Sequence, residues 1–259
     1  MNMEKILYEV RDSLAIITLN DPRSLNAFSY PLVYELSLAL DKAEKEPEVK
    51  VVIITGGEKV FAAGGDVPGM LEMDSFEAGH YSKTVQQIFN KIEFLSKPVI
   101  AMIAGPAIGG GCELALACDL RLASSNARFG QPEVDLGVVP GAGATVRLSR
   151  LVGPALAKEM IFTGRIIDAT TAQQIGLVNQ VVEPAELWPV AKKLALKIAN
   201  KAPMAIRLAK EAINVAMNSD FLTATQFESR GFALTFSTVD KNEGMKAFLD
   251  KRKPVFQGK

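Results

Sequence analysis

The sequence predicts an α/β fold, because strand-like and helix-like segments alternate through its first half while helical patterns fill the rest from Gly141 onward. Two compact apolar runs, Val51 to Thr55 and Val99 to Ala104, have the length and content of strands buried under flanking helices. In order, Ile6 to Val10 and Leu14 to Leu19 form a strand pair around the turn Arg11-Asp12-Ser13. Tyr30 to Glu46 carries Leu32, Val33, Leu36, Leu38 and Leu40 at roughly helical spacing, with charges on the other face. Gly56-Gly57 ends the Val51 strand, and a loop follows through Phe61-Ala62-Ala63-Gly64-Gly65-Asp66. A helix then runs from about Asp74 to Leu95, and Lys97-Pro98 breaks it before the Val99 strand.

A helix opens at about Gly110, and Cys118 to Ala123 reads as a further strand closed by the turn Ser124-Ser125-Asn126. Beyond it the helical patterns cover 143–150, 154–162, 169–175, 184–200, 203–217, 220–237 and 240–250. Only Leu177 to Val182 interrupts them as a strand. Asp168-Ala169-Thr170-Thr171 has the chemistry of a helix cap, and Lys201-Ala202-Pro203 that of a helix–helix junction. Hence an α/β core over 1–199 and a helical region over 200–259 are expected, with no linker or repeat between them.

Composition narrows the function classes. A chain of 259 residues that is 48% hydrophobic can bury a sizeable core. No run approaches the ~18 apolar residues of a membrane span, and no signal peptide is visible after Met1, so a cytoplasmic location is expected. The 29 basic and 29 acidic residues balance, which argues against nucleic-acid or membrane partners and leaves room for a local anion site. Cys112 and Cys118 read as buried thiols. With His80 the one histidine, a His-based metal site or a Ser-His-Asp triad is not expected. The chemistry must run on carboxylates, backbone or a bound ligand.

Two carboxylates stand out. Glu113 follows Gly109-Gly110-Gly111-Cys112 just inside a helix start, where backbone N–H groups lack internal partners. Taken alone it is an acid favoured by the helix dipole, and the glycines a tight turn that lets helix and strand pack closely. No Lys-Ser/Thr follows the glycines, so a phosphate loop fails on spacing. Nor does Gly141-Ala142-Gly143-Ala144 continue as a dinucleotide fingerprint, since Val146 stands at the third glycine position. Glu133 closes Phe129-Gly130-Gln131-Pro132 and precedes Val134, Leu136, Val138 and Val139, an apolar wall that would raise its pKa and suit it to act as an acid. The small residues of the Phe61 to Asp66 loop would admit a second backbone donor close to a ligand oxygen.

Together these motifs resemble the enoyl-CoA hydratase (crotonase) family. The matching segments are Phe61 to Asp66, Lys97-Pro98-Val99-Ile100-Ala101, Ala107 to Leu114, Ala127 to Glu133, Pro140 to Thr145 with Arg147-Leu148, and Ala247 to Lys253. They span essentially the whole chain in order. The resemblance implies a spiral of ββα units in the α/β core, with a helical C-terminal region that forms a trimer or a dimer of trimers. It implies an oxyanion hole from the backbone N–H groups of Ala63 and Gly110, holding the thioester carbonyl of an acyl-CoA. Glu113 would activate water for addition at Cβ, and Glu133 would deliver a proton at Cα. No cofactor is implied, coenzyme A being part of the substrate. CoA contacts are implied at Arg23, Leu25 and Ala27, at Ala63, Gly64, Gly65, Asp66 and Gly110, and at Lys251, the last reaching a neighbouring subunit's ligand.

Departures from the family pattern are Gly65, where hydratases often have alanine, and Ala144 and Val146, where Gly and Gln are usual. They bear on the acyl group more than on the reaction. Possession of both glutamates favours hydration over double-bond isomerisation, while dienoyl- or cyclic enoyl-CoA hydration stays open. RNA binding, known for some relatives through a lysine-rich helix, is disfavoured because Glu35, Asp41, Glu44 and Glu46 outnumber Lys42 and Lys45 between Tyr30 and Glu46.

Overall fold

The computed structural model of the chain describes residues 3–259. β1 (Ile6–Arg11) and β2 (Leu14–Leu19) pair antiparallel about Asp12 and Ser13, and β2 then starts a parallel series. β3 (Val51–Thr55), β4 (Val99–Ile103), β6 (Leu120–Ser124) and β9 (Gln180–Val182) follow it in register, giving a six-stranded sheet in the order β1-β2-β3-β4-β6-β9. A second sheet of three short strands holds β5 (Pro106–Ile108), β7 (Arg128–Gly130) and β8 (Ile167–Asp168). Isolated bridges extend this layer from Ala107 to Ala62 and from Gly65 to Phe28. Each turn of the chain therefore leaves one strand in the large sheet, a short extended piece in the second layer, and a helix. That is a spiral of ββα units.

α1 (Tyr30–Lys45), α3 (Ser75–Glu93) and α4 (Gly110–Ala117) share one hydrophobic core with residues of both layers. On α1 the buried stripe is Leu32, Val33, Leu36, Ala39, Leu40 and Ala43, while Leu38 is only half-buried. Each fully buried leucine there contributes about 1.5–3 kcal/mol. α3 starts in a capping box, Asp74 accepting from the Phe76 and Glu77 N–H groups while Glu77 accepts from the Asp74 N–H. The opposite face of the large sheet is covered by α8 (Leu187–Ala199), whose Leu187, Ala191, Ala195 and Ala199 lie on Leu14, Val51, Ile53, Ile100 and Leu122. Burial on both faces is why β3 reads as an unbroken apolar run.

The other helices before α8 in the chain are α2 (Val67–Leu71), α5 (Ala144–Val152), α6 (Pro154–Thr163) and α7 (Ala169–Gln174), the last capped by Asp168 as its sequence suggests. α9 (Pro203–Ala216), α10 (Phe221–Thr235) and α11 (Val239–Leu249) bury little of themselves: no residue of α9, and only Gly231 of α10. Lys210 of α9 nevertheless ties this region to the core, reaching Asp119 Oδ2 at 2.7 Å and the carbonyls of Ile92 and Lys97. Among the described residues no helix is long and apolar enough to cross a membrane.

Two strands begin later than the sequence reading places them. Cys118 is not in β6, because it caps α4 with its N–H on Ala115 O. Leu177 and Val178 precede β9, their N–H groups folded back on Ala172 O in a turn. β5, β7 and β8 escaped the sequence reading altogether, being three residues or fewer.

Candidate active site

The second layer delivers two glycine segments to one place. Ile108 donates to Ala62 O at 3.0 Å and Gly109 to Gly130 O at 2.9 Å, so the chain entering α4 is clamped between the 62–65 segment and β7. Gly109 turns with φ 53°, and the position of a Cβ on Gly110 lies 3.4 Å from the Gly64 carbonyl carbon. Gly110 is the first residue of α4, where a helix leaves its N–H unpaired. Ala63, Gly64, Gly65, Gly110, Glu113 and Glu133 all line a single cavity of about 440 Å³.

The expected Ala63 donor is corrected by this geometry. The Ala63 N–H is committed to Leu25 O at 3.0 Å and is not free to meet a ligand. Gly64, at φ 117°, reverses the chain direction just after it. The next N–H, that of Gly65, has no acceptor among the described residues. Gly65 also makes room for Met70, whose Sδ lies 2.8 Å from where an alanine Cβ would sit. The departure from alanine at this position therefore reshapes the apolar wall beside the unpaired N–H.

Glu113 is 3% exposed. Its Oε1 accepts the N–H of Ala142 at 2.8 Å and of Ala144 at 3.0 Å. Ala144 opens α5, so the carboxylate sits at a second helix N-terminus as well as inside its own. Burial pushes its pKa up, and the Ala144 and Ala142 N–H groups and the Arg147 charge pull against that push. Glu133 begins the 3-10 turn Glu133–Leu136, half-buried against the cavity's apolar side with Leu136, Val138 and Val139. Burial raises its pKa to about 7, its own backbone N–H lowers it, and the charge of Glu113 raises it further. With its amide nitrogen turned toward Glu133, the fully buried Gln131 donates to both carboxylate oxygens, at 2.9 and 3.1 Å.

The two acids thus face one cavity in different surroundings. Each accepts two N–H bonds that favour its ionised form, from the Ala142 and Ala144 backbone at Glu113 and from the Gln131 amide at Glu133. Burial works against both, raising Glu133 to about 7. The N–H groups of Gly65 and Gly110 belong to the lining of the same cavity. Such a set can bind a developing oxyanion, take a proton on one side of it and give one on the other.

Other expected site residues stand apart from the cavity lining. Arg23 and Leu25 are exposed and Ala27 is half-buried in a loop that adjoins the site through Leu25 O. Buried Asn26 fixes that loop, its amide donating to Phe61 O at 3.1 Å and accepting from the Asp21 N–H at 2.8 Å. Asp66 caps α2 through the Gly69 N–H rather than facing the cavity. Lys251 is exposed just beyond α11, with φ 55°, and outside the cavity of its own chain. Cys112 and Cys118 are buried thiols as expected, burial pushing each up to about 12. Sequence reasoning missed Gln131, although it stands two residues before Glu133, and it missed the 141–144 loop as the holder of Glu113. The closely spaced glycines of that loop were the available signal.

Comparison with known proteins gives the family. Residues 9–259 match the enoyl-CoA hydratase/isomerase family model. A short-chain-enoyl-CoA hydratase of Clostridium acetobutylicum is 48% identical over 98% of this chain and 97% of its own. A crotonyl-CoA hydratase of Syntrophomonas wolfei is 46% identical over the full length of both. The crystal structure of an enoyl-CoA hydratase from Bacillus anthracis superposes with a TM-score of 0.95 at 40% identity, covering 98% of this chain and 100% of that one. The chain belongs to the enoyl-CoA hydratase/isomerase family.

Proposed function

We propose that the protein adds water reversibly across the 2,3 double bond of an enoyl-CoA thioester to give a 3-hydroxyacyl-CoA. The observation that carries the reading is the pairing of Glu113, buried on two backbone N–H groups, with Glu133, whose pKa stands at about 7, in one glycine-walled cavity. In this mechanism the thioester oxygen lies on the N–H groups of Gly110 and Gly65, the latter in place of Ala63. Glu113 takes a proton from water as its oxygen bonds to Cβ. The electron pair of the double bond passes to the thioester as an enolate, held by the two N–H donors. Glu133 then gives its proton to Cα, and return of a proton from Glu113 to Glu133 resets the pair. Each oxyanion donor is worth about 2.7–4 kcal/mol of barrier. These steps call on no group beyond the protein and the substrate's own coenzyme A.

Two relatives named for short-chain and crotonyl substrates support a short acyl group here. Exposed Phe221, Leu222, Phe232, Leu234, Phe248 and Leu249 on α10 and α11 support self-association through residues 200–259, as a trimer or dimer of trimers. In that assembly Lys251 would serve a neighbour's CoA. A sedimentation measurement showing only monomer at micromolar concentration rejects this assembly. The reading needs no membrane or nucleic-acid partner, and a cytoplasmic location goes with it.

Loss of enoyl absorbance from crotonyl-CoA on adding the protein is the direct test. Absorbance that stays constant over short, medium and cyclic enoyl-CoA thioesters rejects the function. The pH dependence has a definite sign. Hydration needs Glu133 protonated, so its kcat/KM falls as pH rises through about 7. Dehydration of the 3-hydroxyacyl-CoA starts from the other placement of the same single proton, on Glu113 instead of Glu133. Because hydration takes up no net proton, the dehydration kcat/KM must follow the same pH profile. A hydration kcat/KM that stays level as pH rises through about 7 overturns the assignment of Glu133.

A further inference from the structure

The 141–144 loop that holds Glu113 is itself held from α3. Gly141 O accepts Ser82 Oγ at 2.6 Å and Gln86 Nε2 at 2.7 Å. Ala142 O accepts Arg147 Nη1 at 3.1 Å. The same guanidinium reaches Asn90 Oδ1 through Nη2 at 2.6 Å and Glu93 Oε2 through Nε at 2.7 Å. Ser82, Gln86, Asn90 and Glu93 are spaced by four, four and three residues, which puts them on one face of α3. A polar stripe of one helix therefore grips the loop directly at Gly141 and through Arg147 at Ala142. Gly143 permits the grip: its φ is 115°, and a Cβ there would lie 2.3 Å from Arg147 Nη1.

A carbonyl shares one rigid peptide plane with the N–H of the next residue. Fixing the carbonyls of Gly141, Ala142 and Gly143, the last by the Arg147 N–H at 2.9 Å, therefore aims the donors that follow them. Gly141 O shares its peptide plane with the Ala142 N–H, the shorter of the two bonds to Glu113. We propose that Arg147 is a positioning residue for the hydration reaction: with the α3 stripe it keeps the Ala142 and Ala144 N–H groups on Glu113 and sets a positive charge behind the carboxylate. The inference rests on the hydratase reading and adds to it the part that keeps a deeply buried base ionised.

The ionisable groups around Glu113 are few. Arg147 comes from α5, Tyr81 and the Arg147 partner Glu93 from α3, Glu133 from the 3-10 turn, and Cys112 from α4 itself. β5, Pro106–Ile108, brings none. The Cys112 thiol, pushed up to about 12, and the Tyr81 phenol, also near 12, stay neutral through the working range. Arg147 is accordingly the one positive charge in this set, and Glu133 is the acid that opposes it when ionised.

The test is the acid limb of the hydration kcat/KM profile, which reports ionisation of the base. Arg147→Met is expected to move that limb to higher pH. A shift of one unit lowers kcat/KM about tenfold below the limb and leaves the variant-to-parent ratio recovering as pH rises. Because Arg147→Met strands Glu93, the double variant Arg147→Met/Glu93→Gln is measured beside it and should show the same shift. Arg147→Lys keeps a charge but loses the fork, and its limb should fall between those of the parent and Arg147→Met. A loss uniform across pH, or an unmoved limb in the double variant, overturns the proposal and leaves Arg147 as packing alone. So does an Arg147→Lys limb that coincides with that of Arg147→Met. Absence of hydration in the parent would instead reject the hydratase reading itself.

Discussion

Glu133→Gln and Glu113→Gln are each expected to lower kcat for hydration by about 10²–10⁴-fold, with KM little changed. Glutamine keeps the shape of each side chain and removes the proton transfer. For Glu113 it also places an amide where Oε1 now accepts two backbone N–H groups, so the amide oxygen must take over both bonds. The double variant should be little worse than the worse single one, because a water activated on one side is of no use without the proton on the other. An isomerase working through Glu133 alone would tolerate the Glu113 change, so retained activity in Glu113→Gln sinks the hydratase mechanism. Stability separates a chemical effect from a folding one. The Glu133 pKa is raised in the folded state, so its contribution to stability is full below the unfolded value near 4.5 and is lost as pH rises through about 7. Glu133→Gln removes that loss. At pH 8 the variant should melt no lower than the parent, and its advantage should disappear toward pH 4. A variant that is inactive and also melts well below the parent at pH 8 would show that the glutamate supports the fold instead.

How much of this site was legible beforehand depended on how local its cause was. α1 and α3 were readable because period and caps lie within the segment, as in the Asp74–Glu77 capping box. The wall beside Glu133 was readable from Val134, Leu136, Val138 and Val139, of which the last three line the cavity while Val134 packs on the core. By contrast β5, β7 and β8 exist only through pairing across long sequence separations, such as Ala107 with Phe129, and three residues carry no period. The expectation of a free Ala63 N–H fails for a related reason. Whether the Ala63 or the Gly65 N–H stays free depends on Leu25 O, nearly forty residues earlier in the chain, and on the positive φ of Gly64. Neither is written in the string Ala62-Ala63-Gly64-Gly65. The hold on Glu113 was hidden likewise, since Ala142 and Ala144 act through backbone N–H groups that any residue but proline would supply.

Gly111→Ala should be among the most damaging single substitutions in the chain, although local propensity predicts the opposite. Alanine in a helix interior is favoured over glycine by about 0.5–1 kcal/mol. A Cβ on Gly111, however, would lie 2.0 Å from Ala62 O, 2.7 Å from the Ala62 carbonyl carbon and 3.0 Å from its Cβ. The obstacle is backbone, so no rotamer relieves it. Ala62 cannot retreat without breaking the 3.0 Å bond from the Ile108 N–H and the bridge to Ala107 that continues the second layer. Overpacking of this kind costs about 1–3 kcal/mol and occasionally more, and a rigid backbone partner puts it at the upper end. Since ~1 kcal/mol moves the midpoint of a chain this size by about 2–4 °C, a fall on the order of 10 °C is expected. Activity at a permissive temperature should fall too, because the displaced segments carry the N–H groups of Gly65 and Gly110. Gly79→Ala is the matched control: Gly79 is exposed within α3, a Cβ there meets nothing within 4 Å, and the same substitution should raise the midpoint slightly. If the two variants melt together, close approach of α4 to Ala62 is not what glycine at position 111 is for, and the clamp described for the active-site glycines is wrong.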